Sequence, residues 1–351
     1  MAAAKIVVPA VLGRNEQTAK AFEDAGCEVV RVPPPAPGET AGWTPELIQK
    51  YFADADAFLG IFPGRPITRA VLEGAPKLRV GASPVIGVDS IDVVAATDLG
   101  IAIGFGAAPE NFLGVAEAVV MLTAALVKHM PQKWAAVRSG GWRVDNPGNM
   151  VMNHTIGLVG FGNIGQGVAR RLQGWDVNLI AADPYVSHDI ADRLNVKMVD
   201  LDTLLQTADV VSVMVVLNEG THHMISDREF GLMKQGAYLI NTSRGPAVDE
   251  GALIRALDSG KLAGVGLDVW EQEPTREDNP LRNHPLVIST GHNVGHSEEV
   301  YAALPGVAAE NILRGLRGQE PLYTRNPEVL PRWKERMAKL GVLQLATPQQ
   351  T

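Results

Sequence analysis

The chain has 351 residues, 46% of them hydrophobic and 20% charged, which excludes a disordered tail and allows one large α/β domain or two of ordinary size. A formal charge of −8 leaves no basic surplus for gripping a polyanion, so nucleic acid is not an expected partner. One cysteine, Cys27, excludes an intramolecular disulfide framework and a cysteine-built zinc site, and fits a reducing, cytoplasmic compartment. From the start, small residues run directly into a strand at Lys5–Pro9, without the pattern of a signal peptide. A helix at 16–25 closed by Gly26 follows, then a strand at Glu28–Val32, a stiff proline loop at 33–38, a helix at Pro45–Phe52 opened by Thr44, and a strand at 57–61. This alternation implies a parallel sheet covered by helices. Short apolar segments at 78–81 and 101–103 extend it. The apolar helix at 115–129 has its most apolar part at 118–127, about ten residues where a membrane span needs about 20, so no membrane partner is expected and it reads as a core or interface helix.

A second alternating region begins at Thr155, with strands at 156–159, 177–181, 210–216, 238–241, 264–269 and 286–289, and helices at 165–172 and 250–259. Two α/β lobes suit the length. The last thirty residues, with the mixed-charge stretch 332–339, read as a peripheral helix and a frayed end.

Gly160-Phe161-Gly162-Asn163-Ile164-Gly165 sits directly after a strand and opens a helix. In a dinucleotide fold the first glycine makes the tight turn, the second lets the pyrophosphate approach the backbone, and the third lets helix and strand pack closely. Asp183 ends the next strand, 18 residues beyond Gly165, where an acid accepts both ribose hydroxyls and repels a 2′-phosphate, so NAD is expected over NADP. The expected cofactor contacts begin with Gly160, Gly162, Asn163, Ile164, Gly165 and Asp183.

Further on, Asn241-Thr242-Ser243-Arg244-Gly245-Pro246-Ala247-Val248-Asp249-Glu250-Gly251-Ala252-Leu253 resembles the arginine signature of the D-isomer-specific 2-hydroxyacid dehydrogenases. Gly266-Leu267-Asp268-Val269-Trp270-Glu271-Gln272-Glu273-Pro274 resembles that family's glutamate motif, and Thr290-Gly291-His292 its histidine motif, in the family's order. Gly87-Val88-Asp89-Ser90-Ile91-Asp92 and Val115-Ala116-Glu117 are similar to its substrate-loop and interdomain-helix segments. The resemblance is good over roughly residues 78 to 300. It implies two Rossmann-like doubly wound α/β lobes: a flavodoxin-like substrate lobe of 1–106 with 296–351, and an inserted NAD-binding Rossmann lobe of 107–295. It further implies hydride exchange between NAD and a small 2-oxo or 2-hydroxy acid, usually in a homodimer, for which the apolar helix with Trp134 and Trp142 supplies a surface.

The residues also make chemical sense by themselves. A guanidinium binds a carboxylate and polarises the adjacent ketone in one fixed fork, which nominates Arg244. Reduction moves a proton with the hydride, which nominates His292, oriented by Glu273 in the position of the family's relay acid. By resemblance Thr242, Val215 and Asp268 lie beside the nicotinamide and its ribose, and Ser83, Ile86 and Gly87 belong to the loop holding the substrate carboxylate. Ser83 stands where many members carry an arginine, which disfavours a phosphorylated substrate. Gly291 replaces the family's proline, and Asn293 and His296 replace a small, glycine-rich run, with His296 equally readable as the start of the next helix. Adjacent His222-His223 has no neighbouring carboxylate cluster, and no metal site is expected. Two rivals share the cofactor motif: a formate dehydrogenase-like enzyme, which has no proton to relay, and a corepressor-like regulatory module that binds NAD without turnover.

Overall fold

Strands β1 (Lys5–Pro9), β2 (Glu28–Val32), β3 (Ala57–Leu59), β4 (Val80–Ala82) and β5 (Ala102–Gly104) form one sheet of the computed structural model, which describes residues 3–10, 13, 16–36 and 41–345. All pairings are parallel and the order is β2-β1-β3-β4-β5, the flavodoxin-like arrangement. Successive side chains of a strand point to opposite faces, so β1 places Ile6 and Val8 in one core with Phe22 and Ile312, and Val7 in another with Phe52 and Phe58. A sheet buried on both faces needs helices on both, and these two cores are what a doubly wound unit requires.

The second sheet contains β6 (Thr155–Val159), β7 (Asn178–Ala182), β8 (Lys197–Met198), β9 (Val210–Val213), β10 (Ala237–Asn241), β11 (Leu262–Leu267) and β12 (Val287–Ser289). It is parallel throughout in the order β12-β11-β10-β9-β6-β7-β8, the Rossmann order with one additional edge strand. The strand order reverses between β6 and β9, and the crevice beyond the carboxyl ends of these strands is where such sheets bind ligands. The chain divides into two compact units, Met1–Asn111 with Ser297–Thr351, and Phe112–His296.

Three expectations need correction. The apolar helix runs over Pro109–Val127, so by length and composition it is long enough to cross a membrane, contrary to the short stretch read from the sequence. Its residues from Ala116 onward instead supply core: Ala116, Val119, Leu122 and Leu126 pack with Phe161, Val168 and Ile240. The stretch 332–339 is not peripheral. It belongs to the helix Leu330–Leu340, whose Trp333 is fully buried and donates from its indole Nε1 to the Arg79 carbonyl at 2.9 Å, while Arg336 donates to the carbonyls of Leu78 and Pro76. Leu330, Trp333, Met337 and Leu340 do form one helical stripe, but a stripe in a charged helix does not say how deeply it docks. Third, short helices at Arg69–Glu73, Val93–Asp98, Leu201–Thr207 and Asp227–Leu232 were not predicted, because one or two turns give too little period to detect. Pro37 and Gly38 of the proline loop, and the end from 346, lie outside the described residues.

Candidate active site

Every expected cofactor and Arg/Glu/His position lies in the unit Phe112–His296. Beyond β6 the chain turns at Gly160 with φ +92°, where a Cβ would stand 2.6 Å from the Met214 carbonyl oxygen and 3.3 Å from Val215 Cγ1. At Gly165 a Cβ would meet the Gly160 carbonyl oxygen at 2.6 Å, so the helix Asn163–Arg171 seats on its strand only because that side chain is absent. Gly162 differs. It is the residue before that helix, and a Cβ on it would meet nothing of the chain within 4 Å. Open space thus lies beside the first amides of Asn163 and Ile164, which donate to no acceptor among the described residues, a setting that suits an anion.

Asp183, just past β7, accepts from the Phe161 amide at 2.8 Å through Oδ2, and from the Tyr185 and Val186 amides at 2.8 and 3.2 Å through Oδ1. The acid therefore fixes the glycine turn as well as standing beside it. Among the described residues, the Thr242 hydroxyl, one residue past β10, is buried without a hydrogen-bond partner, as is that of Ser212 on β9. A buried hydroxyl left unpaired costs about 1–3 kcal/mol, so these strand ends suit a ligand that supplies polar atoms. The glycine cradle, the open space and the orphaned threonine together fit a dinucleotide.

The arginine loop is built by buried Asn241. Its Oδ1 accepts from the Ser243 amide at 3.1 Å and the Ser243 hydroxyl at 2.8 Å, and its Nδ2 donates to the Arg244 carbonyl at 3.0 Å. Arg244 is half-buried, and its Nη1 donates to the Ser243 carbonyl at 2.7 Å. Gly245 locks this loop against the glutamate motif: a Cβ there would lie 1.8 Å from the Trp270 carbonyl oxygen and 2.4 Å from the Glu271 nitrogen. Because both obstacles are backbone, Gly245→Ala is expected to destabilise the protein by about 4 kcal/mol or more, beyond the usual range for one substitution. Denaturant unfolding of the variant checks this.

Glu273 joins the loops. Its Oε1 accepts from the Trp270 amide at 3.0 Å and its Oε2 faces His292 Nδ1 at 2.7 Å. Burial pushes the Glu273 carboxyl up, but the His292 and Trp270 bonds and the charge of Arg244 outweigh it and hold it below its ordinary value. The Glu273 bond raises His292 above an ordinary histidine, against the opposing effects of burial and Arg244. His292 itself sits in the left-handed region at φ +56°, its amide donating to the Asp268 carbonyl at 2.6 Å. The Asp268 carboxylate accepts from the Thr290 hydroxyl at 2.7 Å and the Asn293 and Val294 amides at 2.8 and 2.9 Å, so it builds the turn that presents the histidine. His296 precedes the helix Glu298–Leu316, which is capped by Ser297, and burial pushes the His296 imidazole down despite nearby Asp268.

In the other unit, Ser83 is fully buried and its hydroxyl donates to the Gly87 carbonyl at 2.6 Å while accepting from the Val85 amide at 3.3 Å. The serine thus shapes the loop from within. Among the described residues, the half-buried amides of Ile86 and Gly87 donate to no acceptor. One feature escaped the sequence reading: His223 Nε2 lies 2.6 Å from Glu271 Oε1, a carboxylate 48 residues away and therefore invisible to a search for neighbouring acids. No group of three or more potential metal ligands occurs among the described residues.

Residues 120–294 match the family model described as D-isomer specific 2-hydroxyacid dehydrogenase, NAD binding domain. A glyoxylate reductase from Korarchaeum cryptofilum is 38% identical over 81% of this chain and 87% of that protein. A D-3-phosphoglycerate dehydrogenase from Methanocaldococcus jannaschii is 36% identical over 85% of this chain, which spans only 56% of that protein's length. Among solved structures, a glyoxylate reductase from Paecilomyes thermophila superposes with a TM-score of 0.82 at 27% identity, covering 93% of this chain and 99% of that one. An NAD-dependent formate dehydrogenase from Staphylococcus aureus in complex with NAD gives 0.75 at 28% identity, over 90% of this chain and 96% of that one.

Proposed function

The chain belongs to the D-isomer-specific 2-hydroxyacid dehydrogenase family, and on that premise we propose that it interconverts a small 2-oxo acid and the corresponding D-2-hydroxy acid with NAD. The observation that carries this reading is the Glu273 carboxylate holding His292 Nδ1 at 2.7 Å within the field of Arg244. A ring held at Nδ1 keeps Nε2 for the substrate, and the raised proton affinity favours the protonated form of the ring. Arg244 would bind the carboxylate and polarise the 2-oxo oxygen, and His292 would pass its proton to that oxygen during reduction. In the reverse direction His292 would take the hydroxyl proton as a base. NAD supplies the hydride acceptor, or in its reduced form the donor. Gly160, Gly162, Asn163, Ile164 and Gly165 would hold its pyrophosphate, Asp183 its adenosine ribose, and Val215, Thr242 and Asp268 its nicotinamide end. We assign the unit Phe112–His296 as the cofactor lobe and the other as the substrate lobe, where the Ile86 and Gly87 amides would receive the substrate carboxylate.

Two details sharpen the reading. Formate oxidation releases carbon dioxide and leaves no proton to relay, so an acid that raises the histidine has no use there; the Glu273 pair favours a 2-hydroxy acid. Ser83 offers a loop-shaping hydroxyl rather than a cation, which favours an unphosphorylated acid. NADH oxidation with glyoxylate, hydroxypyruvate, pyruvate and branched and aromatic 2-oxo acids tests the proposal. Turnover of at least one is expected, whereas NADH binding with no turnover of any would favour a regulatory module, and turnover of formate alone with NAD would favour that rival.

The dinucleotide assignment yields a separable prediction. Gly162→Ala meets no obstacle within the chain, so thermal stability is expected to hold while NADH affinity falls about tenfold or more, the equivalent of about 1.4 kcal/mol. Fluorescence titration with NADH checks it. We also propose a homodimer. The helix Met130–Arg138 buries no residue, and Met121, Trp134, Val137 and Trp142 are all exposed around it. Light scattering is expected to give twice the 37.5 kDa chain mass.

A further inference from the structure

The tetrapeptide Glu271-Gln272-Glu273-Pro274 carries two histidine–carboxylate pairs, of which only the Glu273–His292 pair has a part in the reaction proposed above. The two are built alike. His292 and His223 both occupy the left-handed region, at φ +56° and +48°, which places each ring by an uncommon backbone state. The amide of each donates to a motif carbonyl, His292 to Asp268 at 2.6 Å and His223 to Pro246 at 2.7 Å. Each ring then meets one glutamate of the same short segment, at 2.7 and 2.6 Å.

His223 closes a loop that holds itself rigid. Within it the Thr221 hydroxyl donates to the Val216 carbonyl at 2.7 Å and accepts from the Asn218 amide at 2.8 Å, and the His222 ring lies 4.1 Å from that of His223. Glu271 is held at its amide by Glu250 Oε1 at 2.6 Å and at its side chain by His223. The Trp270–Glu271 peptide is also the surface against which Gly245 packs. Three restraints therefore meet one residue before Gln272 and two before Glu273. Both side chains of the His223–Glu271 pair are about one-third exposed, 34% and 37%, and a contact this exposed adds little to global stability. Its effect must be local.

We propose that His223 and Glu271 are positioning residues: their bond fixes the segment 270–274 so that the Glu273 carboxylate stays within hydrogen-bond reach of His292. The proposal rests on the assignment of Glu273 and His292 to catalysis, but its test does not require turnover. The groups facing His223 are Glu271, His222 and Asp249, and those facing His292 are Glu273, Arg244, Asp268 and His296.

The experiment is an imidazole NMR titration of His292 in the full chain without added ligand, the signal being assigned by its loss in His292→Asn. In Glu271→Ala and in His223→Asn, which suits the left-handed backbone but is too short to reach Glu271, the midpoint of His292 is expected to fall toward the ordinary histidine value of about 6.5. Glu271→Gln keeps an acceptor for the His223 ring and is expected to titrate like the wild type. An unchanged His292 midpoint in folded Glu271→Ala overturns the proposal. So does an equal fall in Glu271→Gln, which would make the effect one of charge and not of position. Loss of 2-oxo acid turnover in the wild-type protein would overturn the functional reading instead, and the titration would still decide the pair.

Discussion

His292→Asn is expected to lower kcat for 2-oxo acid reduction by about a hundredfold or more, the usual scale for losing a general acid, while NADH affinity stays nearly unchanged. Asparagine is the suitable replacement because His292 occupies the left-handed region, which asparagine tolerates better than other side chains without a proton to give. The pH dependence follows from the pair. The bond to Glu273 raises His292, so the ring remains protonated at pH values where an ordinary histidine has lost its proton. Reduction, which needs the protonated ring, is therefore fast below the raised value and falls as pH climbs through it; oxidation, which needs the neutral ring, rises over the same interval. Glu273→Gln keeps an acceptor but removes the carboxylate charge that strengthens the bond to His292, so both limbs are expected to move to lower pH. Profiles of kcat/KM against pH in the two directions measure this.

The second large effect belongs to Arg244. Arg244→Lys is expected to reduce kcat/KM by about 10²–10³, the scale observed when one charge-stabilising donor is lost from a preorganised site. Lysine keeps the charge, but as a compact point with rotatable donors, and it cannot present the two parallel N–H groups that match a carboxylate and its neighbouring ketone. The Asn241-built turn and the Gly245 contact hold the arginine backbone in place, so the loss would be local to the side chain. Removing the charge altogether has a second signature. Arg244 lowers His292, so in Arg244→Ala the histidine is expected to titrate higher than in the wild type, and steady-state kinetics combined with an NMR titration would read both consequences.

Much of this site is legible in the chain itself because its chemistry is local. The glycine turn declares a close approach of backbone, and strand endings such as Asp183 fall where the βαβ period places them. The two short segments that carry Arg244 and His292 are recognisable as motifs, and the parallel sheets follow from alternation. What escaped is long-range. The His223–Glu271 bond links residues whose proximity depends on β9, β10 and β11 lying side by side, which no local spacing encodes. The depth of Trp333 depends on the carbonyls it meets near β4, far earlier in the chain. The apolar helix was read six residues too short at its start, because Pro109, Glu110 and Asn111 look like a loop by composition although proline and an acid are favoured in a first helical turn. Asp268 shows a different limit: its place in the motif suggests a cofactor contact, and nothing local reveals that its Oδ1 also builds the turn beneath His292.

The most direct test of the central claim is NAD reduction with the separate D and L enantiomers of the chiral 2-hydroxy acid whose 2-oxo partner is turned over fastest, in the wild type and in His292→Asn. The account predicts oxidation of the D enantiomer alone, reduced by about a hundredfold or more in the variant. Equal oxidation of both enantiomers, or near-normal turnover without His292, would contradict it.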